Sequence, residues 1–229
     1  MSARGARARG SRGAQAPAFD FDESLLTGLD PGDIAAFEAG RFEAVAYTGL
    51  AIDEWQLGTG ETVDGCRFTG STVGSWTLRG ARIVESVLDG IDATVVSAAR
   101  SGLRDVEVRD SRFGSFEAFD STWRGVRFTR CKLGFVNLRG AELLDVAFVD
   151  CTIEELDLLD ATARRVAFPG SRIGALNVSG ANLTDVDLRG AEVFEVVGLA
   201  GLRGATISPE QLHLMAPALA ELTGIIVED

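Results

Sequence analysis

From Val63 to Val196 the apolar positions of the chain keep one spacing. An apolar residue stands at every fifth position, from Val63, Phe68 and Val73 through Leu183, Leu188 and Val193. All 27 of these centres are apolar, and only Ala93, Ala98, Ala118 and Ala163 are small. From Phe68 onward, a second uncharged residue lies two positions before each centre. It is alternately small (Ser111, Ser121, Ala141, Cys151, Ala161) and large (Val126, Val136, Val146, Leu156, Val166). A helix repeats at 3.6 residues and a strand at 2, so a period of five fits neither. A fixed internal period predicts a solenoid, in which each repeat is too small to bury its own apolar face and stacks on its neighbours to do so.

The unit is plain in Ala141-Glu142-Leu143-Leu144-Asp145 and again in Ala181-Asn182-Leu183-Thr184-Asp185: a small residue, a polar one, a central Leu or Phe, and two variable positions. This resembles the pentapeptide-repeat family, over about 27 consecutive units. The resemblance implies an all-β solenoid, a right-handed quadrilateral β-helix with about 20 residues per coil and 7–8 coils, closed by a short C-terminal α-helical cap. In layout the chain is similar to the mycobacterial fluoroquinolone-resistance type.

Residues one coil apart should stack and look alike. Val106, Val126, Val146, Val166 and Val186 form one such column, and Phe128, Phe148 and Phe168 another. Ser101, Ser121, Ala141, Ala161 and Ala181 make a third. Uniform columns favour ladders of identical contacts, and at ~4.8 Å per coil the array makes a rod roughly 33 Å long. The expected core therefore includes Phe128, Phe148, Phe168, Val126, Val146, Val166, Leu143 and Leu183. Cys131 and Cys151 fall in one inward column and read as small core residues.

The flanks read differently. Residues 1–16 are Arg, Gly, Ala and Ser without an apolar run, a disordered basic tail by composition and no signal peptide. Residues 17–62 read as an acidic N-terminal cap with an irregular first coil. Asp30-Pro31 looks like a helix N-cap with proline in the first turn, opening a helix to about Gly40. Phe42, Tyr47, Ile52 and Leu57 then keep the five-residue spacing, one residue out of phase with the array. The repeat region is expected over 63–207, slipping by one residue after Val193. In 208–229, Ser208-Pro209-Glu210-Gln211 is a capping box. Leu212, Met215, Leu219 and Leu222 lie on one face of the helix it starts. Pro217 is expected to kink or split that helix, Gly224 to end it, and Ile225, Ile226 and Val227 to form a short strand. The resemblance implies that this end joins two rods, making Leu212, Met215, Leu219, Leu222, Ile225, Ile226 and Val227 the expected homodimer interface.

Catalytic, cofactor and metal signals are lacking. The one histidine, His213, has no cysteine or acid near it in sequence, and there is no CxxC or histidine pair. Gly80, Gly90, Gly140, Gly180 and Gly190 follow the repeat and serve its corners rather than a phosphate. Three cysteines and no stretch of ~20 apolar residues place the protein in the cytoplasm. Lys132 is the only lysine against 21 arginines, a composition that points to a high-GC bacterium.

The expectation is a non-enzyme: an interaction or structural module with an unidentified protein partner, binding neither nucleic acid nor membrane. The family resemblance implies an alternative, a DNA-mimicking inhibitor or protector of DNA gyrase, a type II topoisomerase. The net charge of −12 favours it, but residues 63–196 hold 20 acids and 16 bases, whereas 17–62 hold ten acids and one base. The acidic end, with Asp20, Asp22, Glu23, Asp30, Asp33 and Glu38, is thus the expected patch for an electrostatically steered partner.

Overall fold

The structure, a computed structural model, describes residues 13–228; most of the basic tail, residues 1–12, lies outside the described residues. The array winds as a parallel β-solenoid. One flank is a sheet of eight strands stacked from Ala51–Gln56 to Glu192–Val197, the other a sheet of 11 strands. Register follows the period read from the sequence. Val106 pairs with Val126, Val126 with Val146, Val146 with Val166 and Val166 with Val186, each twenty residues on. Coil length changes at both ends, where the spacing slips: Ile52 pairs with Val73, 21 residues on, and Val186 with Ala205, 19 residues on.

Every centre of the five-residue series is buried except Val193, which is half-buried. They form one continuous interior. Its aromatic column is a stack: Phe128 and Phe148 lie 5.1 Å apart at 12°, Phe148 and Phe168 5.3 Å apart at 3°. Parallel strands hold identical residues in register, so rings superpose in a geometry that isolated aromatic pairs do not favour.

The coil turns through left-handed residues. One corner column, Gly80, Arg100, Asp120, Gly140, Asp160 and Gly180, has φ between +55° and +66° throughout. Gly90 and Gly170 occupy the next, with Asp110, Arg130 and Asp150. Gly190 departs from the expectation: its φ is not positive, and what it supplies is space, since a Cβ there would stand 3.0 Å from Pro169 Cα.

The N-terminal end is closed by aromatics, with a different start from the one expected. Asp30–Gly32 is not a helix N-terminus but a short edge strand paired with Val45–Tyr47. Its Asp30 amide donates to Ala44 O, and Pro31 is tolerated because an edge strand has an unpaired side. The cap is Asp33, whose carboxylate accepts the Ala36 amide, and helix α1 runs Ile34–Glu38. Phe37 from α1 packs edge-on against Phe42, Tyr47 and Trp55, and Trp55 stacks on Trp76 at 4.4 Å.

At the other end, helix α2 spans Pro209–Thr223, with the Ser208–Gln211 capping box formed and Gly224 left-handed at its C-cap. Pro217 does not split it; the carbonyl it leaves without a helical donor, on His213, belongs to an exposed turn open to solvent. Residues 225–228 form no strand: they follow the left-handed Gly224 and pair with neither sheet. Gln211 docks the helix: its Nε2 donates to the carbonyls of Leu188 and Ala191, at 2.7 and 2.8 Å, tying the helix to the last coil.

Candidate functional site

Among the described residues, the interior holds apolar side chains, buried serines and three thiols. Phe128, Phe148, Phe168, Val126, Val146, Val166, Leu143 and Leu183 all lie inside the coil. Cys66, Cys131 and Cys151 are buried free thiols, and burial pushes the Cys66 thiol up. Cys151 is pushed up by the Cys131 thiol beside it and by burial. A thiol held neutral and away from solvent is a poor nucleophile. His213 is exposed on α2. Among the described residues no group of three or more His, Cys, Asp or Glu is placed to hold a metal ion, and no helix is long and apolar enough to cross a membrane.

The flanks carry paired charge. Arg109 reaches Asp89 at 2.8 Å, Arg127 reaches Glu107 at 2.9 Å, Arg130 reaches Asp110 at 2.6 Å and Arg172 reaches Glu192 at 2.7 Å. Each partner lies twenty residues away, in the same column one coil over. Pairing between neighbouring columns, Arg104, Arg124 and Arg164 beside Glu85, Asp105, Asp145 and Asp185, is realised by Arg104 with Glu85 and Asp105. Stacked residues of one column face each other across ~4.8 Å, whereas side chains on two sides of a corner diverge. Asp145 is engaged by Arg165, its own column neighbour. Burial alone would raise its carboxyl, but the Arg165 guanidinium and the Ala18 amide hold it below the usual carboxylate range.

That Ala18 amide belongs to a feature the five-residue period does not reveal. Residues 13–23, expected partly in the tail and partly in the cap, lie lengthwise along the rod as an extended strap. The Gln15 amide donates to Asp185 at 3.2 Å and the Ala18 amide to Asp145 at 2.8 Å. The Phe19 ring receives the Arg127 guanidinium at 4.1 Å. Glu23 takes Arg109 at 2.8 Å and Arg67 at 3.0 Å, and Arg109 above all holds its carboxyl below the ordinary value. From Gln15 to Glu23 an extended chain covers roughly 26 Å, close to the ~24 Å of five coils. Pro17, Phe19, Phe21 and Glu23 are half-buried, whereas Ala18, Asp20, Asp22 and Ser24 are exposed.

Beneath the strap's track, two outward-pointing residues are dry: Val87 is 0% and Ala147 4% exposed, though neither is part of the interior cluster. The signal was in the sequence. Phe19-Asp-Phe21-Asp alternates with period two, the mark of an extended segment with one covered face. The acids of 17–62 are therefore not one free patch: Asp22 caps the turn Glu23–Leu25, Glu23 holds two arginines, Asp30 pairs with Arg41 and Asp33 caps α1.

The C-terminal end is where apolar surface is left open. Leu212, Leu222, Ile225 and Val227 are exposed, with Leu214 at 77% and Ile226 at 84%; Met215 and Leu219 are half-buried. On Glu192–Val197, the end strand of the eight-stranded sheet, Phe194 is 71% exposed.

Residues 121–196 match the family model described as "Pentapeptide repeat region". No curated protein matches the chain. Among solved structures, full-length QnrB1, a plasmid-mediated fluoroquinolone resistance protein, aligns at 16% identity with a TM-score of 0.33, covering 76% of this chain and 99% of that one. HetL, a pentapeptide repeat protein involved in heterocyst differentiation regulation from the cyanobacterium Nostoc sp. strain PCC 7120, aligns at 19% identity and TM-score 0.25, covering 76% of this chain and 94% of that one.

Proposed function

Taking as premise that the chain belongs to the pentapeptide-repeat family, we propose that it is a non-catalytic protein-interaction module that pairs with a second copy of itself through its C-terminal segment, 208–229. The observation that carries this reading is the apolar surface at that end. Gln211 anchors α2 to the rod by buried polar contacts, while Leu212, Leu214, Leu222, Ile225, Ile226 and Val227 stand exposed. Scattered exposed apolar residues are ordinary, but six large ones between Leu212 and Val227, at one end of a rod whose other end is sealed by aromatics, mark an association surface. Three thiols kept free and buried fit a reducing compartment, the cytoplasm. Replacing Leu214 and Ile226 by Asp tests the reading: the variant should be monomeric at concentrations where the parent is dimeric.

Gyrase protection by DNA mimicry is the weaker reading. The net charge of −12 favours it. Against it, a duplex carries a charge every ~1.7 Å of its axis, whereas residues 63–196 set 16 bases against 20 acids, and five of those acids pair with an arginine one coil away. A supercoiling assay with purified gyrase, with and without quinolone, should show no inhibition and no protection; either effect at micromolar protein would restore the mimic.

A further inference from the structure

The strap covers its flank with few commitments. It adds no strand to either sheet, and its backbone makes two hydrogen bonds to the rod, both to carboxylates. Its side chains supply one aromatic ring on Arg127 and one carboxylate between Arg67 and Arg109. Ion pairs as exposed as these contribute at most about 1 kcal/mol each. The surface under it is nonetheless specific. A dry floor at Val87 and Ala147 is bordered by three guanidinium groups: Arg127 takes Phe19, and Arg109 and Arg67 together take Glu23 four residues on.

We propose that this flank is a docking groove for an extended segment of a partner protein in which aromatic and acidic residues alternate, and that residues 15–23 are a built-in pseudo-ligand which such a segment displaces. The chemistry of the occupant is read from what is seated there. An aromatic ring meets the Arg127 guanidinium through its π face, a carboxylate four residues on meets Arg67 and Arg109, and Ala18, Asp20 and Asp22 point to water. Selectivity comes from position rather than net charge, because Asp89, Glu107, Asp145 and Asp185 line the same track as the arginines. Because the strap is tethered, its effective concentration is in the millimolar range, so a partner segment competes poorly until the strap is loosened. The groove is independent of self-association at 208–229, and the two ideas fail separately.

The test uses the full chain and a fluorescein-labelled synthetic peptide with the sequence of residues 16–26. Anisotropy titrations should show the peptide binding Phe19→Ala/Glu23→Ala at least tenfold more tightly than the parent. Adding Arg109→Glu and Arg127→Glu should remove the binding, and a scrambled peptide of equal charge should not bind. Circular dichroism establishes that each variant is folded. No binding to the folded, loosened chain at millimolar peptide overturns the proposal, as does equal binding of the scrambled peptide. If the double variant does not fold, amide exchange of residues 15–23 in the parent decides. A rise on adding excess peptide supports displacement, and unchanged protection overturns it.

Discussion

Phe148 shows how one position is fixed by its neighbours one coil away. It is fully enclosed, with Phe128 on one side and Phe168 on the other. Phe148→Asp would leave a charge with no partner between two rings, at a cost of several kcal/mol. The expected outcome is loss of the cooperative thermal transition, read by circular dichroism; a variant melting with the parent would contradict a twenty-residue coil. The corners make the opposite prediction. Arg100 holds φ +56° in a column where Gly80 holds +66°, and a left-handed non-glycine residue costs roughly 1–2 kcal/mol. Arg100→Gly should therefore raise the melting temperature by a few degrees, while Gly80→Val should lower it. The inward residues were legible from the period alone, because each has only its column to obey. The corner geometry was half legible: glycine announces positive φ, but arginine and aspartate in the same column give no such signal.

Elements added at the ends obey other rules, and they are where sequence and structure part. The helix expected from Asp30-Pro31 became an edge strand because the first coil needed a partner along Val45–Tyr47, and Asp33 took over the capping. The box at Ser208–Gln211 was plain in sequence, yet nothing there showed Gln211 also sealing the carbonyls of Leu188 and Ala191. The strap was hidden for a simpler reason. Its period of two is short, and its partners lie up to 170 residues away.

Glu23 makes the strap sensitive to acid. Its carboxyl is held low by Arg109 and then Arg67 against burial, so its contribution is complete above the ordinary value of ~4.3 and is lost as pH falls through the lower folded value. The groups facing it are Arg67 and Arg109, with Asp89 paired to the latter, and Glu107 and Arg127 border the same stretch. Amide exchange over residues 15–23, corrected for intrinsic rates, should rise between pH 6 and pH 3. Glu23→Gln should already exchange faster at pH 6 and show a smaller pH dependence. Equal profiles for the two proteins would mean that Glu23 does not hold the strap.

On the scale of the molecule, a rod sealed at one end, charge-paired along its sides and apolar at the other end has one obvious way to bury what remains. A net charge of −12 keeps such rods apart in general, so association must come from a specific surface rather than from stickiness. Sedimentation equilibrium of the full chain beside Leu214→Asp/Ile226→Asp tests that claim most directly. The account predicts about twice the 24.2 kDa chain mass for the parent at micromolar concentration and a single chain mass for the variant, with both giving the same circular dichroism spectrum. A parent that stays at a single chain mass up to millimolar concentration, or a variant that still dimerises, would contradict it.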